Sequence, residues 1–145
     1  MEISDQTPDD YLSSVEDAGV QADLIALDRA MAAAMPNRRR VVWEGTFWGG
    51  TEQTIIGYGD IIQPRPKGES VQWFLAGLAR QKRNYSIYLN AVRDDQYLAH
   101  AYADRLGKVK LGAASIGFTR LDLVDLAVLG ELLAEADELT PPDPA

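Results

Sequence analysis

Cysteine is absent from the 145 residues, which removes disulfides, thiolate-held zinc, iron–sulfur clusters and cysteine nucleophiles together. Histidine occurs once, at His100 between Ala99 and Ala101, and no Gly-x-Ser-x-Gly elbow accompanies it, so the histidine reads as a structural or surface residue. Phosphate-cradling patterns are missing too: there is no Gly-x-x-x-x-Gly-Lys, and Gly57-Tyr58-Gly59 lacks the helix that a dinucleotide fingerprint needs. No apolar run approaches the roughly 20 residues of a membrane span. The first ten residues are acidic where a signal peptide would be basic and then apolar, so the expected setting is cytoplasmic. No catalytic constellation is recognisable, and no spacing establishes a facing pair of carboxylates.

What is present fits one folded domain over 1–145, with a core at about 8–137 and a flexible tail at 138–145. The net charge of −8 conceals a split. Residues 1–37 carry eight acids and one base, 38–110 carry twelve bases and seven acids, and 111–145 carry seven acids and one base. Acidic flanks thus bracket a basic middle, whose local field suits a small anion. A pI near 4.5 opposes approach to duplex nucleic acid, and no aromatic RNP-like motif argues for single strands.

Thr7-Pro8-Asp9-Asp10 has the order of an N-cap, a first-position proline and first-turn acids, which predicts a short helix through Ser14. A second helix is expected over 18–35, with Val20, Leu24, Leu27, Met31 and Met35 at helical spacing and Pro36 as its stop. Its other side carries Ala22, Ala26, Ala30 and Ala33 around Arg29; small residues there would permit close approach of a helix from this chain or a second subunit, a homo-oligomer contact through Ala22, Ala26 and Ala33. Strand signals run over 40–43 and 53–58, then over 70–79 and 84–92 as a hairpin joined by Arg80-Gln81-Lys82-Arg83. A helix at 94–106 should close on Gly107, a short strand should occupy 115–118, and a last helix should begin at Asp122 with Leu123, Leu126, Leu129, Leu133 and Ala136 on one face. Helices, an antiparallel meander, then helices make an α+β fold of segregated layers.

Two signatures go further: Val41-Val42-Trp43-Glu44-Gly45-Thr46-Phe47-Trp48-Gly49-Gly50, and Gly107-Lys108 followed by Ile116-Gly117-Phe118 and the Asp122-Leu123 helix start. With the helix ending in Met35-Pro36 and the strand Tyr85-Ser86-Ile87-Tyr88-Leu89, they make residues 11–136 resemble the YdhG-like family, a bacterial domain of unknown function some of whose members are described as frataxin-like iron chaperones. The family pattern has Gly-Met-Pro after the first strand and Ile-Arg-Phe near the end, where this chain has Gly45-Thr46-Phe47 and Gly117. Without that arginine, no anion contact is expected at position 117. The resemblance implies a curved antiparallel sheet of about five strands packed against N-terminal and C-terminal helices, and no known reaction.

Two binding readings follow. The strands carry Trp43, Trp48, Tyr58, Trp73, Tyr85 and Tyr88, and their ends carry Arg38, Arg39, Arg40, Lys82, Arg83, Lys108 and Lys110. A curved sheet could make a cup with an aromatic floor and a basic lip, binding a small ligand or protein partner through Trp43, Trp48, Tyr58, Tyr88, Arg40 and Lys108. The competing expectation is that Trp43, Trp73 and Tyr85 face the helices as core. The alternative, implied by the resemblance, is iron held by carboxylates. Asp23 and Asp28 lie about 140° apart around their helix and cannot share an ion, whereas Glu131, Glu135 and Glu138 align at i, i+4 and i+7.

Overall fold

The computed structural model describes residues 1–46, 52–64 and 68–144 and has the expected α+β architecture. Helix α1, Pro8–Ser14, begins where Thr7 Oγ1 accepts the Asp10 N–H at 3.1 Å. Asp17 caps α2, Ala18–Ala34, through the Gly19 and Val20 N–H groups, and Leu24, Leu27 and Met31 are buried along it. Asp28 is buried with them. Among the described residues no helix is long and apolar enough to cross a membrane.

Among the described residues the main sheet has seven strands rather than about five. In chain order they are β1 (Glu2–Ile3), β2 (Arg40–Thr46), β3 (Glu52–Tyr58), β6 (Ala76–Arg80), β7 (Tyr85–Leu89), β10 (Lys110–Leu111) and β11 (Ser115–Phe118), with β4 (Ile61–Pro64) and β5 (Ser70–Trp73) forming a separate hairpin. The spatial order is β1-β2-β3-β6-β7-β11-β10, antiparallel throughout. The extra edge strands, β1 and β10, are two residues each, too short for periodicity to reveal.

The expected strand over 70–79 is broken. Leu75 N–H donates to Tyr58 O at 3.1 Å and Leu75 O accepts from Asn90 N–H at 2.9 Å, while Asn90 Nδ2 donates to Phe74 O at 2.9 Å. This corner ends β5 and begins β6, and it lays Phe74 across Gly57 and Gly77. A Cβ at Gly77 would stand 2.8 Å from Phe74 Cε1, and one at Gly57 would stand 2.7 Å from Trp43 Cδ1. Glycine is what lets the rings touch the sheet.

The expected helix over 94–106 is mostly a turn region. Asp94 and Asp95 adopt φ of 53° and 62°, and this left-handed pair joins strands β8 (Val92–Arg93) and β9 (Gln96–Tyr97) before a single turn of helix, α3 (Leu98–Ala101). Aspartate tolerates that conformation and favours such two-residue hairpins, which overrides the helical spacing. Gly107 does terminate the stretch: with φ of 105°, its Cβ would stand 2.3 Å from Leu123 O. The last helix, α4 (Leu126–Leu139), starts later than expected, because Asp125 rather than Asp122 caps it through the Val128 N–H; Leu121–Leu123 is a 3-10 turn.

Alternation assigns each strand residue to a face. Ile56, Tyr58, Leu78, Tyr85, Ile87, Leu89, Ile116 and Phe118 meet the helices, joining Leu24, Leu27, Met31, Leu129, Leu132 and Leu133 in the main core. Trp43, Ile55, Phe74 and Ala79 form a second cluster on the outer face, with Trp73 and Tyr88 packed against it. Tyr85 therefore faces the helices as expected, but Trp43 and Trp73 do not: the strand register sends them outward. The segment expected to be a flexible tail is tied down. The Arg38 side chain, 4% exposed, donates to Asp137 Oδ1 and O, Thr140 O, Pro141 O and Asp143 Oδ1, while Asp143 also accepts the Arg39 and Asp60 N–H groups at 2.6 and 2.8 Å.

Candidate functional site

The residues named for a single cup are spread over both faces. Arg40 and Tyr58 lie on the helix side, where Arg40 forks onto Asp28 at 2.6 and 2.8 Å and reaches Asp9 at 2.9 Å, and Tyr58 donates to Asp28 at 2.6 Å. The bond to Asp28 holds the Arg40 guanidinium charged against the cost of burial, and burial, then Asp28, pushes the Tyr58 hydroxyl well up. This is a closed triad with no capacity for a ligand. Trp43 and Tyr88 lie on the outer face; Trp43 is 4% exposed, with its indole Nε1 lacking a partner among the described residues, and the Tyr88 hydroxyl shares bonds with Gln53 and Gln81. Lys108 is exposed in the turn before β10, its backbone N–H on Leu123 O. Trp48 lies outside the described residues.

The carboxylates proposed for iron are largely engaged. Glu131 pairs with Arg105, Glu135 receives Arg93 and the Tyr102 hydroxyl, and Glu138 stands exposed. Among the described residues no three histidine, aspartate or glutamate side chains gather as a metal site would need. On α2, Ala22 and Ala33 are exposed and Ala26 is half-buried.

The arrangement best suited to a ligand lies at the other end of the outer face. Cross-strand register places Lys110 opposite Gly117, Gly117 opposite Ser86, and Ser86 opposite Ala79. In the adjoining row Ser115 is opposite Tyr88. Where the β2–β3–β6 half of this face is covered by rings, with Tyr88 of β7 at its border, the outward residues beyond it are Ser86, Ser115, Gly117 and Lys110, and a cleft of about 470 Å³ lies there. Arg83 and Asn84 enter from the turn before β7, Thr119 from the end of β11, and Lys110 from the edge strand. Among the described residues no carboxylate lines it. Neither Arg83 nor Lys110 forms an ion pair with another described residue.

Ser86 is the informative member. It is 8% exposed, one of two buried polar or charged residues among those described. The other, Asp28, is fully engaged, whereas the Ser86 hydroxyl bonds to no other described residue. Its oxygen is not fully enclosed and opens onto the cleft, where it can both donate to and accept from a ligand. Gly117 keeps the floor open: a Cβ there would lie 3.7 Å from Asn84 Nδ2, inside the space the cleft occupies. Glycine at 117 thus leaves room, and the positive charge comes from Lys110 and Arg83. His100 Nε2 bonds Gly112 O at 2.8 Å and Ala113 O at 3.2 Å, tying α3 to the β10–β11 turn beside the cleft. The histidine holds structure, as its surroundings in sequence suggest.

Sequence reasoning named Arg83 and Lys110 as lip residues but passed over Asn84, Ser86, Ser115 and Thr119. The available signal was size: apart from Tyr88, the outward positions of β7 and β11 are Ser86, Ser115 and Gly117, while inward ones are large and apolar. Set beside known protein families, characterised proteins and solved structures, the chain matches none.

Proposed function

We propose that the protein is a non-enzymatic binding module that holds a small molecule by an anionic group, a phosphate, sulfate or carboxylate, in the cleft of β7, β10 and β11. The observation that carries this reading is one cleft that brings Arg83, Lys110 and the Ser86 hydroxyl together with no carboxylate among its described lining residues. Lysine supplies a mobile point charge and arginine a planar fork of donors, and Ser86, Thr119 and Asn84 add neutral hydrogen-bonding groups of the kind that fix an oxyanion's orientation. In a chain of net charge −8, such a cleft is a local reversal of field that admits a small anion while the whole surface repels a polyanion. A cytoplasmic setting and membership of the YdhG-like family belong to the same proposal; the engaged Glu131 and Glu135 weigh against iron as the ligand.

Calorimetric titration with inorganic phosphate, sulfate and citrate tests the reading. Saturable binding of at least one of them should weaken about tenfold or more, equivalent to roughly 1.4 kcal/mol, when Arg83→Ala and Lys110→Ala are combined. Binding that the double variant leaves unchanged, or no binding of any of the three, would overturn it.

A further inference from the structure

A second site, independent of the anion cleft, lies where the β4–β5 hairpin, β8 and the C-terminal segment converge. Four large apolar side chains among those described are substantially exposed, and three of them, Ile62 at 61%, Val92 at 52% and Leu139 at 48%, rim this one groove. Isolated exposed apolar residues need no explanation, but three from separate elements around one concavity do. The groove encloses about 450 Å³, the size of a small-molecule pocket rather than of a protein interface. Its floor includes Leu75, which is buried, and the half-buried Asn90.

Two features select the occupant. Asn90 Nδ2 donates to Phe74 O at 2.9 Å, which fixes the orientation of the amide and leaves Oδ1, an acceptor, without a partner among the described residues. One wall is built from Pro141, Pro142 and Pro144, which have no N–H, so an extended peptide laid along it would find few main-chain donors and gain little of the affinity of strand addition. That wall is also preformed, because Arg38 grips Thr140 O and Pro141 O, and Asp143 is bonded on both sides by backbone N–H groups of Arg39 and Asp60. A ligand entering it would not have to order the segment first.

We infer that this groove binds a neutral, mainly apolar small molecule bearing one N–H or O–H donor, which it presents to Asn90 Oδ1. Indole is a suitable probe and benzofuran its counterpart of the same shape without the donor. Methyl-resolved NMR titration should show indole shifting Ile62, Val92 and Leu139 together in one saturable process, with benzofuran about fivefold weaker for the lost hydrogen bond. Val92→Asp and Leu139→Asp, both at exposed positions that spare the core, should each reduce indole affinity about tenfold, as expected for charging an apolar wall. Lys110→Ala should leave it unchanged, so that failure here and failure of the anion reading remain separable. Absence of saturable shifts at the three methyl groups, equal binding of benzofuran, or retained affinity in both aspartate variants would overturn the inference. So would shifts at those methyls that depend on protein concentration alone, since they would make the groove a contact between copies of the chain.

Discussion

Arg38, Arg39 and Arg40 follow one another in the chain and each ends on a carboxylate, whereas Arg83 comes from a turn and Lys110 from an edge strand to a cleft with no carboxylate among its described lining residues. The dense run of charge looks like a binding site and is structural; the scattered pair looks incidental and is available. Arg38 fastens the C-terminal segment, Arg39 holds Asp60 at 2.8 Å, and Arg40 closes the triad with Asp28 and Tyr58. Charge density along a sequence therefore says little about function, and what matters is the charge left over after the fold has made its pairs.

The largest effect should come from the structural set. Arg38→Ala removes a nearly buried guanidinium and takes a partner from Asp137, Asp143 and three carbonyls, so denaturant unfolding should show a loss of about 3 kcal/mol with anion affinity unchanged. A small stability change would mean that the two cation groups are not as different as their geometry implies.

Acid should act on the same region. Burial works against ionisation of Asp143, but the N–H groups of Arg39 and Asp60 and the Arg38 guanidinium outweigh it and hold the carboxyl below its ordinary range. A depressed folded-state pKa contributes stability that is present above the unfolded value of roughly 3.9 and is lost as pH falls through the folded value. Stability measured from pH near neutral downward should thus decline in the acid limb, and Asp143→Asn should flatten that decline. An equally steep limb in the variant would remove Asp143 from the account.

The smallest effect is expected at an exposed pair. Glu131 and Arg105 have side chains 55% and 54% exposed, so Glu131→Ala should change stability by no more than about 0.5 kcal/mol. A larger loss in thermal or denaturant unfolding would show that exposure is a poor guide to which ion pairs matter in this fold.

Much of the fold was legible because it depends on local rules. The Thr7-Pro8 cap, the stripe Leu24, Leu27 and Met31, the stop at Pro36 and the strand Ser115–Phe118 all stand where spacing and capping put them. The errors occur where tertiary bonds or turn chemistry override pattern. Asp94 and Asp95 turn left-handed and displace a helix, and the corner at Phe74-Leu75 divides what reads as one strand between two sheets. The site was less legible still. Ser86 and Lys110 converge only because β11 lies between β7 and β10, and strand order is not written in periodicity. Trp43 and Tyr58 were grouped by residue type, although the register puts them on opposite faces.

The most direct test of the difference between the two cation groups is amide-resolved NMR during titration with inorganic phosphate. The Ser86, Lys110 and Gly117 amides should shift together and saturate, lose that response in Ser86→Ala combined with Lys110→Ala, and leave the Arg38, Arg39 and Arg40 amides in place. Saturating shifts at residues 38–40, with none at the cleft, would contradict the account.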